Sequence, residues 1–446
     1  MDEIQSCITS SGEENDGLSR LPQEVLLSIL SRLSMKEAAR TGVLSHKWKE
    51  HWADYPGVLN FEYSRTKEEF CSRTDLARIS QDTSDFVNWV TRVVEQHHGA
   101  SIEEFKVAFD LDNTYQSHID KWVVSALAKG VKSLEFDFNA RHSILIRFPY
   151  TLPLECCNPL KCPYNLASTK PRLRTLVLKS IIIATEVLEC FLHSCPFLEN
   201  LHIRRSRGLT SIRVSGLPLA LKHLDVSECS KLENIDILAP KLLTFGYKGQ
   251  PIQLQIRNAS LLSEVSVAGE RTDPLAYAFD SLSEYFSRLE YLHLSTSLLS
   301  EMNLVLPPIS NLTNLKHLRL TIEARCTQSL LGWISLIQAS PVLQKLTLEL
   351  GSYNWLCDRI LGKHDNPQPL KCLKTLEVFG FVGRIIDLEL ATYVFENAVV
   401  LDEVVLDFKH FFSKHAIRRP HVMKARVMEL KRKLPAGARL LVNDWL

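Results

Sequence analysis

From about residue 100 onward the chain repeats one short pattern: an apolar residue, two others, a second apolar residue, one other, and a third. It reads LRTLVL at 173–178, LENLHI at 198–203, LKHLDV at 221–226, LLTFGY at 242–247 and LSEVSV at 262–267. It continues as LEYLHL at 289–294, LKHLRL at 315–320, LQKLTL at 343–348, LKTLEV at 373–378 and LDEVVL at 401–406. IEEFKV at 102–107 and VKSLEF at 131–136 are weaker copies. The alternation closing each copy predicts a short strand. Between 203 and 262 the intervening segments alternate too, in LTSIRV, LENIDI and IQLQI, and predict returning strands. Later segments, QSLLGWISLIQASP at 328–341 and LATYVFENAVV at 390–400, place apolar residues at helical spacing. No copy can bury its apolar side alone, so the copies must stack.

The start of the chain follows a different rule. LPQEVLLSILSRL at 21–33 spreads Pro22, Val25, Leu26, Leu27, Ile29, Leu30 and Leu33 over an arc of roughly 200° when read as a helix. A helix on a single core needs only about half of that. Its second apolar side asks for a partner. Ser34 and Glu37 form a capping box that starts a second helix near Met35, and Gly42 ends it. A third helix runs from about Leu44, with Trp48 and Trp52 on one side.

The run LPQEVLLSILSRLSMKEAARTGVLSHKWKEHW resembles an F-box over about 35 residues without a gap. That resemblance implies the substrate-receptor subunit of an SCF-type cullin-RING ubiquitin ligase. It implies a partner as well, the SKP-type adaptor and through it a cullin. The implied adaptor contacts are Leu21, Pro22, Val25, Ile29, Leu30, Leu33 and Trp48.

The later copies recur at steps of 20 to 30 residues, the period of a leucine-rich-repeat solenoid. Helix, proline, then repeat strand, as in HSCPFLENLHI and QASPVLQKLTL, resembles the repeats of plant F-box proteins. So does DFVNWVTRVVEQHHG at 85–99, a helix ended by Gly99. Residues 373–407 resemble the FBD region that closes such proteins. The expected fold is α/β, a three-helix F-box followed by an irregular solenoid. Its layout is an acidic tail at 1–16, the F-box at 17–62, a connecting helical segment at 63–100, the solenoid at 101–368 and an FBD-like region at 369–446. The repeat family often places Asn or Cys three residues after the last leucine. Here only Cys229 fits, with Ile181, Ser206, Gln250, Ser297 and Gly351 elsewhere. The ladder that Asn would build is expected to be mostly missing.

Composition changes this picture little. The chain has 446 residues, 45% hydrophobic and 23% charged, with a net charge of +1. No apolar run is long enough to span a membrane, and the polar, acidic start does not read as a secretory signal. Eleven scattered cysteines read as reduced thiols of the cytoplasm or nucleus. No nucleotide loop, hydrolase elbow or paired zinc motif occurs. Cys190, His193 and Cys195 lack a second short-spaced pair, so they read as structural, and no metal or cofactor is expected. The basic stretch 414–433 reads as a solvated helix after Pro420, followed by a closing strand. A non-catalytic receptor is therefore expected, with its target on the concave strand face. The richest part of that face is Tyr291, His293, His317 and Arg319 on adjacent repeats, types that dominate many interfaces. The mixed polarity suits a protein segment better than a nucleic-acid backbone, which would want a basic stripe. The alternative is a hormone-type co-receptor that holds a small acidic ligand in the solenoid. It would need converging cations, and Arg204, Lys248 and Arg319 are spread over distant repeats.

Overall fold

The computed structural model describes residues 21–33, 35–41, 44, 48, 51, 54, 55, 57–62, 76–138, 148–156, 172–214, 220–269, 281–298, 312–324, 329–351, 368–408 and 420–443. The chain divides into two compact units, Met1–Gly208 and Leu209–Leu446. The solenoid expected at 101–368 runs through this boundary without a break.

The first unit opens with α1 (Gln23–Leu30) and α2 (Met35–Thr41), and Trp48 and His51 are helical beyond them. Ser34, Gly42 and Trp52, expected to cap, end and face these helices, lie outside the described residues. Then come β1 (Val58–Glu62), α3 (Leu76–Gln96), β2 (Glu104–Ala108), α4 (Gln116–Ala128), β3 (Ser133–Asp137), β4 (Thr175–Lys179), α5 (Thr185–Ser194) and β5 (Asn200–Arg204). The strands pair in parallel and in chain order. β1 was read as part of the F-box, yet its register Leu59↔Phe105 and Phe61↔Val107 makes it the first strand of the sheet. Its alternating VLNFE explains this: Leu59 and Phe61 point inward and are buried. The inward rings then form a chain, Phe61–Phe105–Phe136–Phe138–Tyr150, with centroids 5.7 to 5.9 Å apart. α3 begins nine residues earlier than the pattern at 85 suggested.

Gly99 has a different role from the helix-ending one expected. Its φ is not left-handed. A Cβ there would sit 2.8 Å from the His97 ring and 2.9 Å from the Asp54 carbonyl, so only glycine admits this approach. The same corner is tied by Tyr55. Its hydroxyl donates to Leu33 O at 2.9 Å and accepts from Val58 N at 3.2 Å. Its carbonyl meets His97 Nε2 at 2.7 Å. Lys129 Nζ lies 2.8 Å from His97 Nδ1 and must be the donor there, so His97 is neutral with its proton on Nε2. Burial, with the Lys129 charge alongside, holds this imidazole below its ordinary range.

The second unit alternates at first between two sheets: β6 (Ser211–Val214), β7 (His223–Ser227), β8 (Asn234–Leu238), β9 (Thr244–Gly249), β10 (Gln253–Arg257) and β11 (Glu264–Gly269). The even-numbered strands are the returns expected from the alternation, and they form a separate three-stranded parallel sheet. Later returns are helical. β12 (Tyr291–Leu298), β13 (His317–Ala324), α6 (Ile334–Gln338), β14 (Lys345–Gly351), β15 (Thr375–Phe379), α7 (Ile385–Asn397), β16 (Glu403–Asp407), α8 (Pro420–Lys433) and β17 (Arg439–Asn443) complete the unit. From β7 and β9 through β17 the main strands lie side by side in parallel. Every full copy of the sequence pattern is a strand. In α8 the basic stretch is amphipathic, burying Met423, Val427 and Leu430.

The missing asparagine ladder is partly replaced. Ser206 is fully buried, and its hydroxyl accepts a hydrogen bond from Ile183 N at 3.0 Å. The chain leaves several strands through a left-handed residue: Ser180 after β4, Arg205 after β5, Glu228 after β7 and Gly380 after β15. In the last unit of structure, buried carboxylates anchor α7. Asp387 caps the helix by accepting from Val382 N and Arg384 N, both at 3.0 Å, and pairs with the Arg384 guanidinium. Glu389 reaches the turn before α6, accepting from Leu330 N at 2.7 Å and Ser329 Oγ at 3.1 Å.

Candidate functional site

Two surfaces carry the residues singled out from the sequence. The first is α1. Leu26 and Leu30 turn into the chain's own core and are fully buried. Val25 is 41% exposed, Pro22 is exposed, and Leu21, Ile29 and Leu33 are half-buried. The wide apolar arc therefore splits as its width required, with one side on the chain and one side open. This corrects two residues of the expected contact set. Leu30 and Trp48 are core residues here, Trp48 being 2% exposed, and neither is available at the surface.

The second surface is the open face of the β11–β15 strands. Register places Glu264, Tyr291, His317, Lys345 and Thr375 in one row across neighbouring strands. The next row holds Ser266, His293, Arg319, Thr347 and Glu377. All four expected residues are thus brought together. The Tyr291 and His317 rings meet edge-on, with centroids 5.0 Å apart.

These residues are wired to one another more than the sequence indicated. Thr321 Oγ1 donates to Glu349 Oε2 at 2.6 Å, so its lone pair must accept from His293 Nε2, 2.9 Å away. His293 Nδ1 is then an acceptor for Ser266 Oγ at 2.9 Å. Arg319 closes the chain on the other oxygen of Glu349. One strand along, the arrangement recurs. His317 Nε2 is 3.0 Å from Thr347 Oγ1, Thr347 donates to Glu377 at 3.0 Å, and Lys345 pairs with Glu377 at 2.8 Å. Each carboxylate accepts only, so it sets the direction of the whole relay and fixes a proton on Nε2 of its histidine. Burial, reinforced by the Arg319 charge, pushes His293 down to about 4. Burial and then Lys345 lower His317 as well. Alternation puts Thr347 and Glu377 on this face, but Thr321, Glu349 and the coupling of all four to the histidines were missed because the partners sit 28 to 30 residues away in sequence. The signal that could have found them is the shared row position of His, Thr and Glu in successive copies.

Among the described residues, no group of three or more His, Cys, Asp or Glu side chains is placed to hold a metal. Cys195 is buried, and that burial pushes its thiol up to about 12. No helix among the described residues is long and apolar enough to cross a membrane.

Helical N-terminal elements with an open apolar side, followed by parallel strands stacked copy on copy, define an F-box protein with leucine-rich repeats. Comparison with known proteins agrees. The F-box domain model matches residues 18–57, and a model described as the At1g61320/AtMIF1 LRR domain matches residues 93–439. The chain belongs to this F-box and leucine-rich-repeat family. The F-box match ends immediately before β1, in line with β1 belonging to the sheet. Among its relatives in Arabidopsis thaliana is the F-box/LRR-repeat protein At3g58900, 31% identical over 253 residues, covering 52% of this chain and 72% of the relative. The FBD-associated F-box protein At1g61320 is 24% identical over 456 residues, covering 94% of this chain and 95% of the relative. The F-box/FBD/LRR-repeat protein At1g13570 is 29% identical over 219 residues, with 48% of this chain and 50% of that protein covered.

Proposed function

We propose that the chain is the substrate-recognition subunit of an SCF-type cullin-RING ubiquitin ligase. The observation that carries this is the divided α1: two leucines held by the chain and an apolar side left open, inside a segment that matches the F-box. The open side, Leu21, Pro22, Val25, Ile29 and Leu33, docks on the SKP-type adaptor. The chain itself performs no chemistry. It raises the effective concentration of a target beside the ubiquitin-loaded enzyme. The target sits on the strand face around Tyr291, His293, His317 and Arg319. The cations that a small acidic ligand would need are engaged within the chain: Lys248 with Glu228 at 3.1 Å, and Arg319 with Glu349. This favours a protein segment over a hormone-like acid.

The test is co-purification of the full chain with the adaptor. Val25→Asp with Ile29→Asp puts charge on the open side without touching the core, and a buried unpaired carboxylate at an interface costs several kcal/mol, roughly a hundredfold or more in affinity. Adaptor recovery should vanish while the circular dichroism melt stays unchanged. Full recovery of the complex with this double variant would refute the docking assignment.

A further inference from the structure

The open face of the second unit has a chemical bias that its mixed composition hides. Each cation on the rows from β9 to β17 is already taken by a carboxylate. Lys248 pairs with Glu228, Arg319 with Glu349, Lys345 with Glu377, and Arg439 with Glu403 at 3.7 Å. Two carboxylates on the same face, Glu264 and Glu323, have no cationic partner among the described residues, and Glu264 is exposed. The surplus on this face is therefore negative.

The relay ending at Glu377 adds a second bias. Thr347 gives its only proton to Glu377, so His317 must give its Nε2 proton to Thr347. His317 Nδ1 is left as a lone-pair acceptor with no hydrogen-bond partner among the described residues. Glu264, Tyr291 and His317 stand side by side on β11, β12 and β13. Neighbouring strands are about 4.8 Å apart, so the backbone positions of Glu264 and His317 lie roughly 10 Å apart, with Tyr291 on the strand between them. A carboxylate, a ring and an acceptor in line form a receptor for a cation that also carries N–H donors.

We propose that the Glu264–Tyr291–His317 row binds a Lys or Arg side chain of the target, and that the target segment is basic. This rests on the reading that the strand face holds the target. The ammonium or guanidinium lies against Tyr291 and donates to Glu264, and His317 Nδ1 accepts from another N–H of the segment. An acidic segment would meet Glu264 and Glu323 unscreened and find no free cation in exchange.

The experiment pans a phage library of random short peptides on the full chain in complex with its adaptor. Recovered clones are then re-tested on Tyr291→Ala, Tyr291→Phe and Glu264→Lys, each with a wild-type thermal melt. Clones that lose binding to Tyr291→Ala should be enriched in Lys and Arg, survive Tyr291→Phe, and bind Glu264→Lys about tenfold more weakly. A Tyr291-sensitive set with no Lys or Arg enrichment overturns the proposed chemistry and leaves the strand face as the dock. The absence of any Tyr291-sensitive clone overturns both.

Discussion

Thr321→Val tests whether the relays hold the strand face in one arrangement. Valine fills the same volume as threonine and leaves the backbone of β13 unchanged. It removes the hydroxyl that donates to Glu349 at 2.6 Å and accepts from His293 at 2.9 Å. Thr321 is 8% exposed and Glu349 6%, so water does not readily replace either contact. A buried donor left unpaired costs about 1–3 kcal/mol, and a carboxylate stripped of one donor adds to that, although Arg319 still pairs with it. The expected loss is about 2 kcal/mol. For a unit of the size of Leu209–Leu446, each kcal/mol moves the melting midpoint by roughly 2–4 °C, so the midpoint should fall by about 4–8 °C. Differential scanning calorimetry of the purified full chain measures it. Thr321→Ser, which restores the hydroxyl, should recover most of the loss. A Thr321→Val protein that melts with the wild type would show that the relay contributes nothing and that Glu349 is satisfied by Arg319 alone.

Gly380→Ala should destabilise by about 2 kcal/mol, because its φ of 74° is left-handed and the added Cβ would run into the Leu350 carbonyl oxygen; a thermal melt within a degree of wild type would refute this. Glu389→Ala should cost about 3 kcal/mol by orphaning the Leu330 N–H and the Ser329 hydroxyl, readable as faster hydrogen exchange at Leu330 by mass spectrometry. His293 titrates lower folded than unfolded, so its contribution is complete above the unfolded value of about 6.5 and is lost as pH falls toward about 4. Between about pH 7 and pH 5 wild type should lose roughly 1–2 kcal/mol more stability than His293→Gln, after discounting for partial exposure, and equal losses in a urea titration would refute the assignment.

The repeat strands were legible because each copy buries its own apolar alternation. Leu292 and Leu294 or Leu318 and Leu320 announce their strands without help from neighbours. β1 was not, since VLNFE lacks the long signature and sits against the F-box match. Left-handed exits at Ser180, Arg205 and Glu228 were also invisible, because residues that dislike that conformation occupy them and the stacked copies impose it. For α1 the arc predicted two apolar sides but not which residues took each. The helix phase alone cannot tell that Leu30 goes inward and Val25 outward; the position of Met35, Ala38 and Trp48 decides it. The four strand-face residues were found by alternation, whereas the relays joining them depend on register between copies far apart in sequence.

The Tyr55 corner has a mechanical consequence. The Tyr55 phenol bonds the turn after α1 at Leu33 and the first residue of β1 at Val58, while the Tyr55 carbonyl takes the proton of His97. The hydroxyl donates once and accepts once, so a swing of the first helix against the first strand must break at least one of these bonds. The connection is therefore a stiff handle and not a tether. Helix α1 and strand β1 are held at one bearing by a single side chain.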